Sequence, residues 1–165
     1  MNGKPMNKKK IISILAEIKD PEIPVLSITD LGILREVEIS ENGITVNITP
    51  TYSGCPAIET IQQDILRTLA KHGIHQVRVN QVLSPSWTSD WMTPSGKEKL
   101  EAFGIAPPVR HAACALSGAL ADEPDHCPQC HSKNLELISR FGSTSCKALY
   151  RCLDCGEPFD YFKCH

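Results

Sequence analysis

Ile11, Ile12, Leu15 and Ile18 recur at helical spacing between Lys8 and Lys19. They predict a first helix that stops at Asp20-Pro21, because proline has no N–H to donate. Ile33 to Ile39 and Ile44 to Ile48 are rich in β-branched residues, and Asn42-Gly43 between them is a hairpin signal, so two antiparallel strands are expected. Pro56 suits a helix start, and Ile58, Ile61, Ile65, Leu66 and Leu69 keep one apolar face until His72-Gly73. Alternation from Gln76 to Leu83 predicts a third strand, and Ser95 to Phe103 a short last helix.

The order αββαβα describes a small α+β domain with a mostly antiparallel sheet over residues 1–106. From Gly104 to Asp125 the pattern dissolves into Ala, Pro, Gly and His, which marks a linker over 107–126 with its boundary near Pro107. Residues 127–165 then form a separate cysteine-rich module. Five of the nine Phe, Tyr and Trp residues fall there (Phe141, Tyr150, Phe159, Tyr161 and Phe162), and they are the expected core of that module.

Charge changes the picture only by exclusion. With 17 Lys+Arg against 19 Asp+Glu, the chain has no strong field to recruit nucleic acid or an anionic membrane. Residues 127–165 carry five basic and four acidic side chains, well short of a phosphate-tracking surface. Lys8-Lys9-Lys10 before apolar residues resembles a signal peptide, but Glu17 and Lys19 interrupt the run, so the expected location is cytoplasmic. No apolar run approaches the roughly 18 residues that a membrane span needs.

Eight cysteines without a secretory signal point to metal or redox chemistry rather than a disulfide framework, and seven of them lie from Cys114 onward. Cys127-Pro-Gln-Cys130 and Cys152-Leu-Asp-Cys155-Gly156 are two Cys-x-x-Cys turns, the arrangement that sets four thiolates around one ion. The expected module is a four-cysteine zinc ribbon with a closed, structural site; iron in the same geometry is the alternative. Cys146 and Cys164 remain, with Cys114, Cys55, His111 or His165 as further donors. Either they make a second site, such as an iron–sulfur cluster, or they are buried thiols of no special role.

In the first domain, Thr49 to Pro56 leads into the second helix and places Cys55 at its N-terminus, where the helix dipole and free N–H groups favour thiolate. Such a thiolate can contact a soft metal or attack an electrophile. Asp20 and Asp30 bracket the loop after the first helix as candidate metal contacts, although turn and capping roles explain them equally well. Trp87 and Trp91 suit either an interface or the core.

The segments Asp20-Pro-Glu-Ile-Pro-Val25, Ile28-Thr-Asp-Leu-Gly32 and Pro50-Thr-Tyr-Ser-Gly-Cys-Pro56 resemble the metal–sulfur cluster assembly family, which includes SufT-like proteins. Trp87 to Met92, Phe141 to Cys152 and Glu157 to Cys164 extend the likeness to the PaaD family of bacterial phenylacetate degradation. The resemblance implies a non-catalytic helper that matures or repairs a metallocentre of the multicomponent phenylacetyl-CoA epoxidase. Its partners would be the epoxidase subunits, above all the iron–sulfur reductase, and a homodimer is one assembly it allows. It also implies that Cys55, with Asp20 and Asp30, is where iron or an iron–sulfur cluster is met transiently, and that the ribbon cysteines are metal ligands. A stable cluster carrier and a Cys55-dependent thiol enzyme are the competing readings. The enzyme needs an activating base, and His72 and His75 lie at the far end of the helix that Cys55 begins.

Overall fold

The computed structural model describes residues 7–109 and 122–164, so His111, Cys114 and His165 lie outside the described residues. Contacts divide the chain into two compact units, one up to Trp87 and one from Thr88.

Helix α1 (Lys8–Leu15) starts at Asn7, whose side chain accepts the Lys10 N–H at 2.8 Å, and turns Ile11, Ile14 and Leu15 inward. It ends a turn earlier than the apolar spacing predicts, because Ile18 N–H donates to Leu15 O and the chain then bridges Lys19 to Ser27. Strands β1 (Leu34–Ser40) and β2 (Gly43–Ile48) pair antiparallel. Helix α2 (Ala57–Lys71) then crosses over to β3 (Val77–Gln81), which lies parallel to β2. The sheet order is β1-β2-β3. It is therefore mixed rather than mostly antiparallel: a helical crossover returns the chain in the direction it left, so the third strand has to run parallel to the second.

Ile44, Val46 and Ile48 of β2 and Ile58, Ile61, Ile65 and Leu69 of α2 are all buried and supply much of this unit's core. Gly73 and Ile74 close α2 with paired N–H bonds back to Ala70 O and Leu69 O, the double C-terminal cap expected of a glycine there. Gly43 acts differently from expectation. It pairs with Ser40, so the turn is Glu41-Asn42, and glycine is required instead by φ +126° and by a close approach in which a Cβ would meet Gln76 O at 2.4 Å.

The second unit begins with a short 3-10 turn at Ser89–Trp91 and α3 (Pro94–Ala102), capped by Thr93, whose hydroxyl accepts the Gly96 N–H at 2.9 Å. Strands β4 (Ile105–Ala106), β5 (Leu135–Ser139), β6 (Lys147–Cys152) and β7 (Pro158–Phe162) form a sheet in the order β4-β7-β6-β5. The division therefore falls some twenty residues before Pro107. Trp87 is buried and donates its indole N–H to Leu31 O at 2.8 Å, which ties it to the first unit. Strand β4 pairs parallel with β7, which ties the segment after Trp87 to the second.

Tyr150, Phe159 and Tyr161 pack with Cys127, Cys152, Ala106 and Ala148 as that unit's core, and Phe162 is buried as well. Phe141 is not part of it. It is 68% exposed, and the Lys163 ammonium sits over its ring at 4.7 Å from the centroid, so a cation covers the face that the core does not. Among the described residues no helix is long and apolar enough to cross a membrane.

Two glycines with positive φ separate steric from conformational cost. Gly43→Ala is expected to destabilise the first unit by about 2 kcal/mol or more, since it adds both a clash and backbone strain. Gly73→Ala, at φ +77° with open space around it, should cost about 1 kcal/mol. Urea unfolding of the two variants measures the difference, and equal losses would mean that the approach to Gln76 is not fixed.

Candidate functional site

Four sulfurs converge in the second unit, on two turns of like construction. In the first, Cys127 N–H donates to Ser132 O at 2.8 Å and His131 N–H to Cys127 O at 2.9 Å. In the second, Cys152 N–H donates to Glu157 O and Gly156 N–H to Cys152 O, both at 2.9 Å. Amides inside the turns aim at sulfur: Gln129 N–H lies 3.4 Å from Cys127 Sγ, and Cys155 N–H lies 3.5 Å from Cys152 Sγ. Asp154 ties one turn to the other. Its carboxylate accepts from the Ser132 hydroxyl and, at 2.9 Å, from the Asn134 side-chain amide, and these two donors hold it below the usual carboxylate range.

All four Sγ atoms lie within 4.8 Å of one another, with Cys127 to Cys155 at 3.9 Å and Cys130 to Cys152 at 3.4 Å, and all four cysteines are free of disulfides. A tetrahedral zinc with Zn–S bonds of about 2.3 Å has sulfur–sulfur edges of about 3.8 Å, so this donor set has the size of a closed four-thiolate shell. Its electrostatics agree. The Cys155 N–H draws the Cys152 thiol down to about 6. Cys130 accepts the Ser132 N–H, yet the neighbouring Cys152 sulfur pushes it up to about 12. Four thiolates can share this space only if a cation stands among them.

Cys146 and Cys164 do not join that cluster. Among the described residues neither belongs to any group of three close metal-ligating side chains. Cys146 is buried with its sulfur 3.0 Å from the Thr144 hydroxyl, and Cys164 is disulfide-bonded, so it has no thiolate to offer. A grouping that the sequence pattern did not suggest is Glu101, His126 and His131, whose ligand atoms also fall within 4.8 Å of one another. The available signal was that His126 and His131 immediately flank the first Cys-x-x-Cys turn.

In the first unit, Cys55 precedes α2 directly before Pro56, the cap residue. Its N–H donates to Tyr52 O and its carbonyl accepts from Ile58 N–H. The helix start does not make it a thiolate. Cys55 is only 7% exposed, and burial raises its thiol above the ordinary value, with the Glu22 carboxylate adding to the rise. The Ala57 N–H and the Thr51 and Tyr52 side chains pull the other way but do not offset desolvation.

Asp20 and Asp30 are buried and bonded to backbone. Asp20 accepts the Glu22 and Ile23 N–H groups, both at 2.8 Å. Asp30 accepts Ser27 N–H at 3.0 Å while its own N–H donates to the Ser27 hydroxyl at 3.0 Å, a reciprocal clasp. These carboxylates shape the loop that carries Glu22.

Comparison with known proteins follows this division. Residues 8–83 match the model described as iron–sulfur cluster assembly protein, and residues 113–163 match the PaaD zinc beta ribbon domain. A protein of Escherichia coli (strain K12), provisionally named as the D-type subunit of 1,2-phenylacetyl-CoA epoxidase, is 49% identical over 160 residues, covering 97% of this chain and 94% of its own. The chain belongs to the PaaD family. The Fe-S protein maturation auxiliary factor SufT of Staphylococcus aureus (strain USA300) is 36% identical over 80 residues, covering 47% of this chain and 90% of its own. Among solved structures, a domain of unknown function, DUF59, from Bacillus anthracis aligns with TM-score 0.53 at 28% identity, over 56% of this chain and 90% of that one. The α+β fold with its SufT-like first part and ribbon-bearing second part is thus that of the family.

Two measurements test the site. Stripping metal from the chain with a strong chelator should unfold β5 to β7 while leaving α1 and β1 to β3 intact, as read by amide NMR; intact ribbon signals after complete metal removal would contradict the electrostatic argument. Alkylation of Cys55, followed by mass spectrometry of its peptide, should keep accelerating past the ordinary thiol pKa instead of levelling below it. Glu22→Gln should shift that profile to lower pH, because it removes a charge that opposes ionisation.

Proposed function

We propose that this chain is a non-catalytic, cytoplasmic maturation factor for the multicomponent phenylacetyl-CoA epoxidase, acting on the iron–sulfur cluster of its reductase or on its di-iron site. The observation that carries this reading is the near full-length likeness to the epoxidase's D-type subunit, in a chain whose first part matches an iron–sulfur assembly model. The SufT relative, itself a maturation auxiliary factor, supports it.

The chemistry of Cys55 fits a transient contact better than a nucleophile. A buried, protonated thiol is inert toward ordinary electrophiles, whereas a soft cation drives off its proton on binding. His72 caps the far end of α2, which is about 22 Å long, so the helix's own histidines cannot activate Cys55 as a base. Iron or a cluster is then cargo that Cys55 meets near the separate loop that Asp20 and Asp30 shape and that carries Glu22. Cys127, Cys130, Cys152 and Cys155 hold zinc, which closes the ribbon and leaves no position for substrate. The ribbon gives the epoxidase subunits, the reductase above all, a rigid surface to recognise.

The test is to purify the reductase from cells carrying Cys55→Ser in place of the wild-type chain. Its iron and acid-labile sulfide should fall several-fold while the variant itself remains folded. A reductase and oxygenase with full metal content in that background would overturn the proposal. Stoichiometric iron and sulfide on the chain itself, surviving purification, would replace it with a carrier role.

A further inference from the structure

We propose that Glu101, His126 and His131 form a second metal site, separate from the four cysteines, that takes a divalent transition ion of the Zn²⁺, Fe²⁺ or Co²⁺ class. The site does not depend on what the chain matures. His126 Nε2 lies 2.7 Å and His131 Nδ1 3.8 Å from the same Glu101 oxygen, Oε1. The two imidazole rings lie 5.2 Å apart between centroids, with their planes tilted at 47°. One ligand atom from each residue falls within 4.8 Å of the other two, which is the reach of two imidazoles and a carboxylate around one ion.

Three features go beyond an ordinary histidine–glutamate ion pair. His131 has φ +60°, and among the described non-glycine residues it is the one with positive φ. It occupies the place in the first turn that Gly156, at φ +79°, occupies in the second, with the same N–H bond to the first cysteine of the motif. The second turn thus uses the residue that takes this conformation freely, and the first uses an imidazole. Next, Asp125 Oδ2 lies 3.9 Å from His126 Nδ1, so a carboxylate stands behind the ring nitrogen that faces away from Glu101, as it does behind many metal-binding histidines. Last, His131 is 69% exposed while Glu101 and His126 are about one-third exposed, which leaves one side open for an ion to enter and for exchangeable ligands to remain. Two histidines and one carboxylate with open positions suit an exchangeable ion, in contrast to the closed sulfur shell beside it.

The experiment is a Co²⁺ titration of the full chain with its ribbon zinc in place, near neutral pH. One Co²⁺ per chain should bind, giving weak d–d absorption without thiolate charge-transfer bands, and zinc content should not change. Glu101→Gln and His131→Asn should each weaken that binding by at least about tenfold. Asparagine tolerates the left-handed backbone, so the turn survives the second change. Zinc retention in both variants confirms that the ribbon is folded. Absence of binding in the wild type, equal affinity in the variants, or charge-transfer bands showing that cobalt enters the cysteine site would each overturn the proposal.

Discussion

Sulfur atoms held as closely as those of Cys127, Cys130, Cys152 and Cys155 repel one another when ionised and contribute little when neutral. The second unit depends on how that repulsion is balanced. Cys127 and Cys152 are fully buried core residues as well as candidate ligands, packed with Tyr150, Phe159 and Tyr161. Apolar packing and charge balance therefore meet in the same side chains. A sheet this small has few other sources of stability, which is the usual circumstance in which a metal ion takes over part of a folding task.

In the first unit burial supplies much of the core, and its one cysteine shows the effect. Ile, Leu and Val fill the space under α2, and the same desolvation that stabilises them keeps Cys55 protonated. Two of the thiol environments thus contrast: a crowded set of four whose ionisation is bound up with the fold, and Cys55, whose ionisation burial opposes.

Periodicity made most of the elements legible. Most of the apolar faces of α1 and α2, the β1–β2 pairing and the spacing of the two Cys-x-x-Cys turns are readable in the sequence, because each depends on residues close along the chain, although Ile12 and Leu66 turn outward and Ile14 inward. What escaped depends on distant residues. The parallel partner of β2 follows from a crossover, and the steric demand on Gly43 comes from Gln76, more than thirty residues on. The Ala, Pro and Gly composition around Pro107 suggested a linker and concealed a strand of two residues. A dipole rule misjudged Cys55 because burial is not written in the local sequence. Phe141 was assigned to a core by residue type, but the fold leaves it outside. The nearness of Glu101 to His126 is likewise invisible without the packing of α3.

Strand β4 is only Ile105 and Ala106, yet it pairs with Asp160 and Tyr161 on the side of β7 away from β6. Without it, β7 would be an open edge carrying a row of unpaired backbone groups beside Phe159, Tyr161 and Phe162, a template for pairing with another chain. A ribbon excised after Pro107 would lose that guard and tend to assemble with its own copies. Ile105 and Ala106, at the border of a segment that reads as a tether in sequence, thus cover part of an edge that the ribbon would otherwise expose.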